Sequence, residues 1–195
     1  MSLETLRNAG AALITAAIAT ASPALAQAPS AEKPGRGDFD FLVGRWKTEQ
    51  KRNTTPLKDD GAWESFTAEI HMQKFPGGIG NFDVLNAPTW RPGYTGLAIR
   101  IFNGETGLWS IYWLNNKTGG IDKDTNELQV PVVGKFVNGV GIFENDEVFQ
   151  GTPIRVQYRW DRVDADNVKW QQAFSFDGGK TWKVNWHMTG TRIKS

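Results

Sequence analysis

Asp38-Phe39-Asp40-Phe41-Leu42-Val43-Gly44-Arg45-Trp46 is the stretch that decides the fold. A short apolar turn (Phe39, Phe41, Leu42, Val43) runs into Gly44-Arg45-Trp46, and from Trp46 a long alternating segment begins. A small helical plug followed by Gly-x-Trp and a strand is how a closed β-barrel with a lumen commonly starts. A closed barrel encloses a lumen, and a lumen is a place to bind something.

Downstream of Trp46 the pattern is two-residue alternation, interrupted every eight to twelve positions by turn residues, as all-β sandwiches and barrels require. Strands are expected near 45–53, 63–73, 79–86, 95–103, 108–115, 130–137, 140–149, 153–163, 167–176 and 181–192. Asn103 to Gly107, Asn138-Gly139, Val163 to Asn167 and Asp177 to Lys180 mark tight hairpins, because glycine and asparagine supply the positive φ such turns need. Successive hairpins imply an up-and-down meander, and closing about ten strands removes its edges. The expected fold is thus all-β: a single antiparallel up-and-down β-barrel with a short N-terminal helical plug. The polar stretch Asn116 to Leu128 is expected as a loop over one mouth, and Pro131 marks a strand beginning at its own edge.

The N-terminus has a different character. Ala9 to Leu25 carries no charge and is rich in Ala, Ile, Thr and Leu, and Ala24-Leu25-Ala26 gives a small-x-small cleavage pattern. Residues 1–26 read as a secretory signal, 27–37 as a linker and 38–195 as the barrel domain. Export to the periplasm or beyond is the resulting expectation. There is no cysteine, which removes thiolate metal sites and cysteine nucleophiles, and a domain of this size builds its core without disulfide staples. The net charge of +1 comes without a basic block, so nucleic acid is not an expected partner. No second apolar run is long enough to span a bilayer.

Strand parity selects the candidate lumen residues. In the last strand Trp182, Val184, Trp186, Met188, Gly190 and Arg192 share the apolar, inward face, opposite Lys183, Asn185, His187, Thr189 and Thr191. In the first strand Trp46 shares its face with Thr48, Gln50 and Arg52, so the lumen should turn polar away from Trp46. Closing the barrel brings Arg192 beside Trp46, where a guanidinium over an indole gains about 0.5–2 kcal/mol. This pair is expected to close the barrel floor structurally rather than to hold ligand.

Three further features bear on chemistry. Glu69-x-His71 puts two polar groups on one face, and Asp83 on the next strand could approach them, forming an acid/base or metal cluster or a set of hydrogen-bonded polar lumen groups. An imidazole in a barrel is also compatible with haem, but only the barrel and His71 speak for it. The sequence implies no cofactor or metal. Ser175-Phe176-Asp177-Gly178-Gly179-Lys180-Thr181-Trp182 matches the Asp-box of sialidase-type propellers, but one box describes a hairpin and not an active site. Trp109 with Trp113, Tyr158 with Trp160, and Trp170 with Phe174 and Phe176 supply aromatic faces, while Arg100 and Arg159 interrupt apolar strands.

Phe39 to Trp46, Thr67 to His71, Trp109-Ser110-Ile111-Tyr112-Trp113 and Gln172 to Trp182 together resemble a bacterial family of secreted lipocalin-like proteins of unknown function. Asn185-Trp186 and Met188 to Arg192 continue the resemblance, which covers most of residues 38 to 192. It implies a calycin-type barrel and carries no activity or catalytic residue. Arg45 stands where that motif often has an acidic residue. The combined expectation is a barrel binding a small, partly apolar ligand. Gln50, Glu69, His71, Asp83, Arg100, Tyr112, Trp113 and Trp186 are its lumen candidates. The alternatives are an isomerase or hydrolase using Glu69 and His71, or a structural or interaction module with a filled core.

Overall fold

The computed structural model describes residues 33 to 194. The signal expected over 1–26, and residues 27–32 of the linker, lie outside the described residues. Alternation becomes strand throughout: β1 (Gly44–Asn53), β2 (Trp63–Lys74), β3 (Gly80–Asn86), β4 (Thr95–Asn103), β5 (Leu108–Asn115), β6 (Val132–Val137), β7 (Val140–Phe149), β8 (Thr152–Arg162), β9 (Asn167–Ser175) and β10 (Lys183–Arg192). Each strand pairs antiparallel with the next, and β10 returns to β1, so the sheet is a closed ten-stranded barrel without edges. Among the described residues the helical pieces are 3-10 turns at Asp40–Leu42 and Pro76–Gly78.

Closure follows from one register. Trp46 stands opposite Arg192 across β1 and β10, and opposite Ile70 across β1 and β2. Arg192 lies over the Trp46 indole, 4.2 Å from its centre, and donates to the carbonyls of Val43 (2.7 Å) and Phe41 (2.6 Å). The Trp46 indole N–H donates to Leu42 O at 2.7 Å, so its polar edge is satisfied. Gly44 makes the turn between plug and strand at φ 115°, a conformation that L side chains rarely adopt.

The plug fills the floor. Phe39 is fully buried between Trp109, Phe136, Phe143 and Trp160, with edge-on contacts to three of these rings. Residues 33–37, expected as the end of a linker, are instead tied to this end of the barrel. Lys33 N–H bonds Gly104 O, Arg36 bonds Gly78 O, and Gly35 O accepts from the Trp109 indole at 3.0 Å. The floor is therefore packed solid, and any opening is at the other end, where β1 ends and β2 begins.

Candidate functional site

Above the floor the lumen is hollow. An inner pocket of about 90 Å³ is lined by Gln50, Asp83, Arg100, Trp113, Tyr158, Trp170, Gln172 and Trp186, with Ile70, Leu85, Ile111 and Met188 between them. It shares Ile111, Trp113, Tyr158, Gln172 and Trp186 with a wider mouth of about 630 Å³. That volume lies within the range of small-molecule pockets. The mouth is rimmed by the segment around Asp122 to Val130, much of it the loop anticipated over one end of the barrel.

The walls are aromatic because several strands place an indole or phenol at the same height. Trp170 meets Trp186 (5.6 Å, 79°) and Tyr158 (5.2 Å, 73°) edge to face, and Trp186 also meets Trp113 (6.4 Å, 79°). Trp113 reaches across the sheet because β4 carries Gly96 beside it. A Cβ there would lie 2.4 Å from the ring. Burial, with the charge of Glu147 second, pushes the Tyr158 hydroxyl well above its usual range. Glu147 is itself pushed up by burial, against a hydrogen bond with Asn145.

Amide side chains fix the walls. Trp186 donates to Gln50 Oε1 at 2.8 Å, Gln50 Nε2 donates to Thr48 Oγ1 at 3.0 Å, and Thr48 donates to Ala68 O at 3.0 Å. Gln172 Nε2 donates to Asn185 Oδ1 at 2.8 Å. Deeper still, Arg100 and Asp83 form a buried ion pair at 2.5 Å, with Asn81 accepting from the same guanidinium at 3.3 Å. Breaking such a pair by removing one partner is strongly destabilising, since a lone charge is left behind.

Of the eight lumen candidates, Gln50, Asp83, Arg100, Trp113 and Trp186 come together here. Glu69, His71 and Tyr112 do not. On β2 the inward positions are Phe66, Ala68, Ile70 and Met72, so Glu69 and His71 point to solvent. There Glu69 pairs with Arg45 at 2.8 Å. Asp83 is inside the barrel and away from both, so the expected Glu69/His71/Asp83 cluster does not form. Tyr112 alternates with Ile111 and Trp113, which line the pocket, and so belongs to the outer face. His187 is outside as expected and stacks on Trp63. Among the described residues no three His, Asp or Glu side chains are placed to hold a metal ion, and no helix is long and apolar enough to cross a membrane.

Asn185 corrects the outward half of the last strand. The register of β10 against β9 slips between Val184 and Trp186, and Asn185 is buried at 4% exposure, lining the mouth together with Trp186. A bulge places two consecutive side chains on one face. Trp170, Tyr158 and Gln172 were readable as aromatic or polar residues of inward parity, but their convergence on Trp186 depends on register.

No protein-family model matches the sequence, and no curated protein matches it. Solved structures do match. The S-type phycobiliprotein lyase CPES from Guillardia theta superposes with a TM-score of 0.51 at 11% identity, over 80% of this chain and 91% of that one. Rv2717c from M. tuberculosis superposes with a TM-score of 0.50 at 12% identity, over 84% of this chain and 99% of that one. The fold is a closed antiparallel β-barrel of lipocalin-like form. At these identities the likeness is one of fold, and the function of this lipocalin-like barrel has to be argued from its own lumen.

Proposed function

We propose that the chain is an exported lipocalin-like barrel whose lumen holds a small, partly apolar molecule with a flat, unsaturated portion. The observation that carries this reading is the inner pocket walled by Trp113, Tyr158, Trp170 and Trp186 and continuous with an open mouth. A core serving packing alone would be filled at this height, as the floor around Phe39 is. Edge-to-face rings leave faces for a ligand to lie against, and side chains held by Gln50 and Asn185 need little reordering on binding. Export is inferred from the uncharged Ala9 to Leu25 run and Ala24-Leu25-Ala26.

Native mass spectrometry of protein recovered from its own compartment should show an added small-molecule mass, and the mature chain should begin at Gln27. Flat apolar probes should quench tryptophan emission saturably. A broad panel that neither adds mass nor quenches would rule the reading out.

A further inference from the structure

We propose that the polar edge of the ligand held in this lumen is an uncharged amide or lactam, a carbonyl beside an N–H, received by Tyr158 and Gln172. The inference rests on the lumen-binding reading above and narrows it to a chemical class.

Tyr158 and Gln172 stand directly opposite each other across β8 and β9, and Gln172 stands opposite Trp186 across β9 and β10. One row of the wall therefore carries a phenol, an amide and an indole in turn. All three side chains line both the inner pocket and the mouth. Tyr158 alternates with the buried Val156 and Trp160, so its face of β8 is the inward one.

Two polar atoms of this row are left for a ligand. Gln172 Nε2 is committed to Asn185 Oδ1 at 2.8 Å, which fixes the amide and leaves its oxygen over. Among the described residues, the wholly buried polar side-chain atoms without a partner are Trp90 Nε1, Arg100 Nε, Asn145 Oδ1 and Asn185 Nδ2. The Tyr158 hydroxyl and Gln172 Oε1 are not among them, although neither makes a hydrogen bond to the described residues. Both atoms are therefore open to the hollow that their side chains line. A donor and an acceptor thus sit on adjacent strands beside an indole. A flat ring lying against Trp186 can turn a carbonyl to the Tyr158 hydroxyl and a neighbouring N–H to the Gln172 oxygen. Neither bond displaces a protein partner.

Charge separates this edge from an ionised one. Burial, and then the charge of Glu147, push the Tyr158 hydroxyl up, so it remains a donor. A carboxylate in the same place would meet the Gln172 oxygen and the charge of Glu147, which lines the same mouth. It would also lose its water among aromatic rings. The inner end offers it no free cation, because Arg100 and Asp83 are engaged with each other at 2.5 Å.

Four flat bicyclic probes test this, each titrated by calorimetry against the purified protein. They are 2-quinolone (carbonyl and N–H), coumarin (carbonyl alone), naphthalene (neither) and 2-naphthoate (an anion). 2-Quinolone should bind about fivefold more tightly than its isostere coumarin, the factor that one additional hydrogen bond supports. 2-Naphthoate should bind more weakly than either. Tyr158→Phe should weaken 2-quinolone and coumarin by about fivefold and leave naphthalene as it was. Gln172→Met should bring 2-quinolone down to the level of coumarin. Circular dichroism checks that each variant folds. Where one does not, the comparison of 2-quinolone with coumarin on the unaltered protein decides alone. Equal binding of those two overturns the proposal, as does a preference for 2-naphthoate. A folded Tyr158→Phe variant that keeps its full affinity for coumarin, or a folded Gln172→Met variant that still favours 2-quinolone, overturns it too. Failure of all four probes to bind sinks the lumen-binding reading itself. Binding without these differences sinks the amide inference alone.

Discussion

Trp186 and Gln50, 136 positions apart in the chain, are joined by a hydrogen bond of 2.8 Å from indole nitrogen to amide oxygen. Gln50 passes its own N–H to Thr48 at 3.0 Å, so one wall of the pocket is held by a short relay running down β1. Gln50→Leu keeps the volume and leaves the Trp186 N–H unmet. It should cost about 1–3 kcal/mol, the usual range for an orphaned buried donor. Urea unfolding would show this as a lower midpoint with an unchanged slope, and an unchanged midpoint would mean that the relay is not what holds the indole.

Gly96 governs the position of Trp113. With a Cβ at 2.4 Å from the ring, Gly96→Ala must displace the indole, and Trp186 stands behind it at 6.4 Å. Overpacking of this sort costs about 1–3 kcal/mol. The displaced ring narrows the pocket, so probe affinity should fall together with stability. Unfolding and quenching titrations on one preparation would measure both.

Arg192 should behave differently. Its three bonds, to Phe41, Val43 and Ala165 carbonyls, and its place over Trp46 all lie at the floor. Lysine cannot reproduce that fork. Arg192→Lys is expected to lose about 2–4 kcal/mol of stability, combining charged hydrogen bonds with the indole contact. Probe binding should remain as it was. Loss of binding in a variant that still folds would contradict a purely structural floor.

The turn between β9 and β10 gives a pH signature. Asp177 accepts from Thr181 Oγ1 (2.6 Å), Thr181 N–H (2.9 Å), Lys180 N–H (3.0 Å) and Ser175 Oγ (2.7 Å), which holds its carboxyl far below the usual range. The first of these, from Thr181 Oγ1, contributes most. A carboxylate depressed in the folded state stabilises above its unfolded pKa of about 3.9 and loses that contribution as the pH falls below it. Asp177→Asn should therefore be less stable than the parent at neutral pH and approach it in acid. Urea midpoints taken from pH 2 to 7 would show the two curves converging, and parallel curves would refute the assignment.

The strands were legible because alternation and turn chemistry act locally. Gly44, the Asn138-Gly139 turn and the apolar face of β2 all state their roles within a few residues. The same β2 face, Phe66, Ala68, Ile70 and Met72, already required Glu69 and His71 to point outward. Asp83 shares their chemistry but not their face of the sheet. Two features lay beyond local pattern. The slip at Asn185 depends on how β10 meets β9, and the Asp83–Arg100 pair depends on the β3–β4 register that sets Asp83 opposite Ala98 and Asn81 opposite Arg100. Both residues of that pair were recognisable as inward candidates; that each is the other's partner was not.

The pairing of β1 with β10 has a consequence for how the molecule is made. The first strand of the barrel, β1, is completed by its tenth, β10, so Trp46 cannot meet Arg192 until every strand between them has been made. Contacts this distant in sequence slow folding, because the ends must be brought together before any bond rewards it. Until then the growing chain has an unpaired β1 edge and an unsealed base. A barrel that closes only when its tenth strand arrives remains an open sheet with two unpaired edges until then.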